Sequence, residues 1–192
     1  MNKKRVFSLV LLGAFSLTNV AYAELTRGDA FFDTTPTASY VKDIDTYITA
    51  SVSDENLLGA VTEAIADYEG ISGANISYDT SNVSSSNYDL RVTAGQYGLD
   101  YAGETRLYYL DNNDNYERHY GTESWDRVKI LLNREYMDYY NYNSANRRKT
   151  TIHEFGHGLG LVHQSSNSIM EQGKLNLTDP TTLDENNLSW KY

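Results

Sequence analysis

Eleven consecutive residues, His153-Glu154-Phe155-Gly156-His157-Gly158-Leu159-Gly160-Leu161-Val162-His163, constrain this chain more than any other stretch. On a helix, histidines four apart project from one face about one turn apart, where a single ion can take both imidazoles. Glycine accepts left-handed backbone angles, so the helix is expected to end at Gly160 and the turn to bring His163 round as a third ligand. Three protein ligands leave a fourth position open, which is the arrangement of a catalytic zinc site. Glu154 stands beside that face and is the candidate general base, taking a proton from water and passing it to a leaving amine. An H-E-x-x-H string alone arises by chance. Here three of the chain's four histidines occupy the three ligand positions.

These residues resemble the metzincin signature, HExxHxxGxxH. Downstream, Ser168-Ile169-Met170 resembles the family's methionine turn, and Met170 is the candidate floor beneath the metal. Where astacins and serralysins carry a tyrosine two residues beyond that methionine, this chain has Gln172, so the nearer likeness is to small bacterial matrixin-like peptidases. The Val-Lys-Ile-Leu-Leu-Asn run at 128–133 looks like the family's last strand. Pro180 to Tyr192 looks like its closing segment, with a short helix behind the site. The likeness covers residues 44–192 and is specific only over 153–170. It implies an α/β (α+β) catalytic domain with a twisted five-stranded mixed sheet, a helix in the N-terminal half and a zinc-binding active-site helix. It also implies one catalytic Zn²⁺ on His153, His157 and His163, with Met170 and Gly160 as structural support. Residues 171–181 would form the wall of the pocket receiving the side chain after the cut.

The first 23 residues read as a signal peptide: Lys3, Lys4 and Arg5, then a largely apolar stretch, then Ala21-Tyr22-Ala23 as a small-x-small cleavage site. Gly13, Ser16, Thr18 and Asn19 interrupt the apolar stretch, which falls short of the roughly 20 residues a membrane helix needs. A secreted, extracellular protein without a membrane anchor is expected. The remainder is long enough for one domain with its own core. With 16 basic residues against 26 acidic ones, three of the basic ones in the leader, the mature chain should repel nucleic acid and anionic membranes. Arg147-Arg148-Lys149, the lone basic run, reads as a solvated helix entrance. The chain has no cysteine, so neither disulfides nor a lipidated N-terminal cysteine are available, nor the zinc-blocking cysteine of animal matrixin zymogens.

Residues 24–43 are polar and without sustained period, and read as a leader or short pro-segment before a peptidase domain at 44–192. The resemblance implies that an aspartate of such a leader can occupy the open zinc position, for which Asp29 or Asp33 would be the candidate, although ordinary solvated acids are the stronger reading. Arg27-Gly28-Asp29 is treated as a chance tripeptide. A first strand is expected within 45–52. A helix capped by Asp54 should follow, burying Leu57, Leu58, Val61, Ile65 and Tyr68 before Gly70. Strands are expected at 75–78, 88–92, 105–110 and 128–132, five in all. The resemblance implies an edge strand above the cleft to which an extended peptide adds, and residues 105–110 are the candidate for it, with a simply internal strand as the alternative. Asp111-Asn112-Asn113-Asp114-Asn115 offers oxygen ligands of the kind Ca²⁺ takes, but Tyr116 and Thr122 stand where an EF-hand needs glycine and glutamate. A polar turn is the stronger reading. His119 reads as a surface residue. Tyr136, Tyr139, Tyr140 and Tyr142 read as packing over the sheet, with a substrate-lining role as the alternative.

The expected function is a monomeric secreted zinc endopeptidase acting on protein or peptide substrates. Two alternatives share the metal. One is a binding or host-interaction module with a structural zinc closed by an acid such as Asp29, and the other is a zinc amidase acting on cell-wall peptides.

Overall fold

The computed structural model describes residues 24–111, 115–119 and 124–192. The signal-peptide reading of residues 1–23 and the centre of the oxygen-rich loop, 112–114, lie outside the described residues, as does Thr122. Among the described residues six strands form one mixed sheet: β1 (Ile44–Ile48), β2 (Tyr78–Asp79), β3 (Leu90–Gly95), β4 (Gly103–Leu110), β5 (Tyr116–Arg118) and β6 (Arg127–Asn133). Their order is β2-β1-β3-β6-β4-β5. The first four in that order run parallel, while β4 is antiparallel to both β6 and β5. Six helices accompany the sheet: α1 (Ala38–Val41), α2 (Ala50–Asp54), α3 (Leu58–Glu69), α4 (Arg134–Tyr139), α5 (Ser144–Gly158) and α6 (Thr182–Lys191).

The expected count of five strands is therefore one short. The extra strand, β5, is three exposed or half-buried residues pairing Tyr108 to Leu110, too short and polar to give an alternation signal. β3 alternates as period-2 reasoning requires, whereas β6 alternates only at its start and is buried on both faces from Ile130 to Asn133. Leu90, Val92 and Ala94 of β3 and Val128, Ile130 and Leu132 of β6 are all buried, with Arg91, Thr93 and Lys129 between them less so. The helix expected from Asp54 begins later, at Leu58, because Asp54 closes the short helix α2. Val61, Ile65 and Tyr68 are core as expected, whereas Leu58 is 41% exposed. Residues 105–110 are a free edge only in part. β4 pairs with β6 through Gly103 to Tyr108 and with β5 from Tyr108 onward, and the Leu107 carbonyl accepts from His119 N. Among the described residues no strand pairs with the edge facing away from β6 over residues 103–106.

α3 and α5 pack together, held by the buried Tyr68 hydroxyl donating to the Ile152 carbonyl at 2.9 Å. Residues 24–43, polar in composition, are nonetheless packed into the same core. Ala30, Phe31 and Val41 are buried, Phe31 bridges Leu161, and Phe32 N donates to the Gly160 carbonyl. His119 is half-buried rather than free at the surface, its ring edge-on to Trp125 and Nε2 3.0 Å from the Thr34 hydroxyl. No helix among the described residues is long and apolar enough to cross a membrane.

Candidate metal centre and cleft

α5 starts with a capping box. The Asn143 side chain accepts from Asn146 N, and Asn146 Oδ1 accepts from Asn143 N. The helix ends at Gly158 in a Schellman motif, with Leu161 N donating to Gly156 O at 3.0 Å and Gly160 N to His157 O at 3.0 Å. Gly160 has φ +94°, so a side chain there would be strained, as the sequence led one to expect. The turn returns the chain across the helix end. The three histidines converge as a result: one ligand atom from each of His153, His157 and His163 lies within 4.8 Å of the others.

Two backbone carbonyls fix the tautomers. His153 Nδ1 lies 2.9 Å from Ile169 O, and His157 Nδ1 lies 2.8 Å from Leu161 O. A carbonyl only accepts, so both Nδ1 atoms carry the hydrogen and both Nε2 atoms present bare lone pairs. His157 Nε2 is 3.1 Å from His163 Nε2, close enough to accept a hydrogen from the His163 ring or to share one cation with it. Burial holds the first two rings neutral. It pushes His153 down to about 2, helped by the neighbouring His157 and the Lys149 charge, and His157 down to about 4. His163, more exposed, is lowered in the same direction by desolvation. Three neutral nitrogens converging on one point are the donor set that a borderline divalent ion such as zinc takes. Among the described residues no carboxylate joins the triad within that distance, so neither Asp29 nor Asp33 stands as a fourth ligand.

Beneath the triad lies the turn Ser168-Ile169-Met170, closed by Glu171 N donating to Ser168 O. Met170 is wholly buried. It reaches under α5 at Gly156, where a Cβ would lie 2.5 Å from the Met170 sulfur and 2.8 Å from the Tyr68 hydroxyl. The glycine in the middle of H-E-F-G-H is thus a close-approach glycine. Asp184, 1% exposed, holds the turn in place: its carboxylate accepts from the Ser168 hydroxyl, from Ile169 N at 2.8 Å and from Thr181 N at 2.8 Å.

Glu154 is buried, 6% exposed, against the first residues of β4. The Thr105 hydroxyl lies 2.7 Å from its Oε2 and 2.8 Å from its main-chain oxygen. A Cβ on Gly103 would meet its Cγ at 2.7 Å. Burial pushes the Glu154 carboxyl up to about 7, against the Thr105 hydrogen bond and the Lys149 charge, which lower it. A carboxyl poised near neutrality changes protonation state readily, as a general base and acid must.

The triad and Glu154 open into one cavity of about 750 Å³, also lined by Gly103, Thr105, Tyr136, Tyr142, Gln172 and Gly173. That size lies within the usual range for ligand clefts. The tyrosine cluster divides. Tyr136 and Tyr142 line the cavity, whereas Tyr139 is 77% and Tyr140 49% exposed. The basic run divides as well, against the expectation of a solvated entrance. Arg147 pairs with Asp138, and Arg148 with Glu63, Asp67 and Asp179, but Lys149 is 3% exposed and lines the cavity. It stands four residues before His153 and so on the ligand face. That spacing was a legible signal. Asp184 also had one, as the fourth residue of Thr181-x-x-Asp184, which forms a capping box at the start of α6. Thr105 and Gly103 had none, because their role depends on β4 lying against α5. Neither a family model nor a curated protein matches this chain.

Proposed function

We propose that this chain is a zinc-dependent endopeptidase of the metzincin kind, exported through its N-terminal segment. The observation that carries the reading is the convergence of three histidine nitrogens and one near-neutral buried carboxyl on a single cleft. His153, His157 and His163 would hold the ion through Nε2. When bound, the ion supplies Lewis acidity, polarising a carbonyl and acidifying water. Glu154 then takes a proton from the attacking water and delivers it to the departing nitrogen, with the Thr105 hydroxyl donating to its carboxylate or accepting from its protonated form. The edge of β4 facing away from β6, at residues 103–106, would align an extended peptide through main-chain hydrogen bonds. A purely structural metal site has no use for a general base lining the cleft beside it, which disfavours the binding-module reading. A cell-wall amidase would use the same groups on a different substrate.

Mass spectrometry of an unfolded protein incubated with the zinc-loaded chain tests this proposal. Internal cuts should appear, cease on chelation and return on adding zinc. An intact substrate in all three states, alongside cut peptidoglycan stems, would move the assignment to the amidase. Intact substrates of both kinds would end the enzymatic reading.

A further inference from the structure

Lys149 is a buried cation without a carboxylate partner. Among the described residues no carboxylate lies within ion-pair distance of it; those of Glu154, Glu171 and Asp184 act on it only from further away, and three acids near the cleft have closer partners. Glu104 pairs with Arg106 and Arg118, Glu154 with the Thr105 hydroxyl, and Asp184 with Ser168, Ile169 and Thr181. Its ammonium donates to the Glu171 carbonyl. It also lies 3.2 Å from His153 Nδ1, but that nitrogen already directs its hydrogen at Ile169 O and accepts nothing. An ammonium has three hydrogens. One is taken, and the residue lines the cavity beside the first metal ligand.

Leaving a charge buried and unpaired is costly, and a hydrogen-bonded anion offsets that cost. The cleft's remaining lining here is neutral: Tyr136, Tyr142, Thr150, Gln172 and Gly173. We infer that Lys149 recognises a carboxylate on the bound peptide, so that the cleft prefers an aspartate or glutamate side chain, or a chain-terminal carboxylate, beside the reacting bond. This inference rests on the peptidase reading for its substrate class. The recognition itself is measurable without cleavage.

The probes are fluorescein-labelled, alanine-rich peptides carrying one central residue, Glu or Gln, with an amidated C-terminus, and a third peptide with Gln at the centre and a free C-terminal carboxylate. Anisotropy against the zinc-loaded Glu154→Ala protein reads binding alone. The Glu peptide should bind at least about tenfold more tightly than its Gln counterpart, consistent with a hydrogen-bonded charge. Tighter binding of the free-acid peptide instead would place the recognised carboxylate at a chain end. In the Glu154→Ala, Lys149→Met double variant, whose methionine fills similar volume without charge, the preference should fall to within about twofold, with zinc still bound at one per chain. Equal binding of all three peptides to the Lys149 protein overturns the inference. So does a preference that survives Lys149→Met. A carboxylate preference in binding without cleavage by the parent would uphold the recognition site while refuting the peptidase.

Discussion

Replacing Asp184 by alanine should loosen the methionine turn and, through it, the first metal ligand. The carboxylate takes four hydrogen bonds: the Ser168 hydroxyl, Ile169 N at 2.8 Å, Thr181 N at 2.8 Å and the Thr181 hydroxyl at 2.8 Å. Ser168 and Ile169 are wholly buried, so water cannot easily replace the lost acceptor. Each stranded donor costs about 1–3 kcal/mol, and loss of the cap on α6 adds about 1 kcal/mol. Because neighbouring losses do not add fully, the total is about 3–5 kcal/mol. For a domain of this size that lowers the melting temperature by roughly 10 °C. The same residue reaches the metal in two steps, since Ile169 is held at N by Asp184 and at O by His153. Zinc affinity should fall about 10- to 100-fold, as for other partners of metal-bound histidine. Urea unfolding of the zinc-free protein gives the first quantity and competition with a chelating dye gives the second. Asp184→Asn keeps one acceptor oxygen and should cost only about 1–2 kcal/mol. An Asp184→Ala protein within about 1 kcal/mol of the parent, with unchanged zinc affinity, would refute this coupling.

Gly103→Ala places a methyl 2.7 Å from the Glu154 Cγ, so peptide hydrolysis should drop at least tenfold while zinc stoichiometry stays at one. Unchanged kcat/KM would show that the Glu154 position is not set by this contact. Zinc at about a hundred times its Kd should raise stability by about 2.7 kcal/mol, and alanine at any of His153, His157 or His163 should abolish most of that rise in calorimetry. In the zinc-free protein, His153 and His157 have folded pKa values depressed to about 2 and 4, so their stabilisation is present above the unfolded value near 6.5 and is lost as pH falls. Glu154, raised to about 7, works the other way, being protonated in the folded state while still ionised in the unfolded one. Between pH 6 and 5 the two histidines outweigh the one carboxyl. Unfolding free energy should therefore fall by about 1.4 kcal/mol per pH unit, and more steeply in Glu154→Gln. A flat or rising profile as pH falls would contradict the burial of the two rings.

The helix that carries His153 and His157, its glycine end and the convergence of the three histidines were legible because they follow local rules, i to i+4 spacing and left-handed glycine. β3 was legible for the same reason, its buried residues alternating at period 2, and β6 as a short β-prone apolar run buried on both faces from Ile130 on. What escaped was set by contacts between distant segments. Thr105 meets Glu154 only because β4 runs beside α5, and Phe31 is core only because it bridges Leu161. Composition gave no sign that residues 24–43 dock on the domain, because a few apolar residues, Ala30, Phe31 and Val41, suffice to bury a polar stretch. It misled at Lys149, where a basic run suggested solvent while the i to i+4 relation to His153 pointed inward. Short elements such as β5 and α4 are fixed by their neighbours rather than by propensity, and carry too few residues for a period to register.

The central claim is that His153, His157 and His163 present an ion to a peptide bond with Glu154 as the proton carrier. Cleavage rates of an unfolded protein by the zinc-loaded parent and by Glu154→Ala, at equal and measured zinc content, test it most directly. The parent should cut internal bonds and the variant should be at least about a hundredfold slower, as loss of general acid–base catalysis requires. Equal rates, or no cutting by either protein with zinc fully bound, would contradict the account.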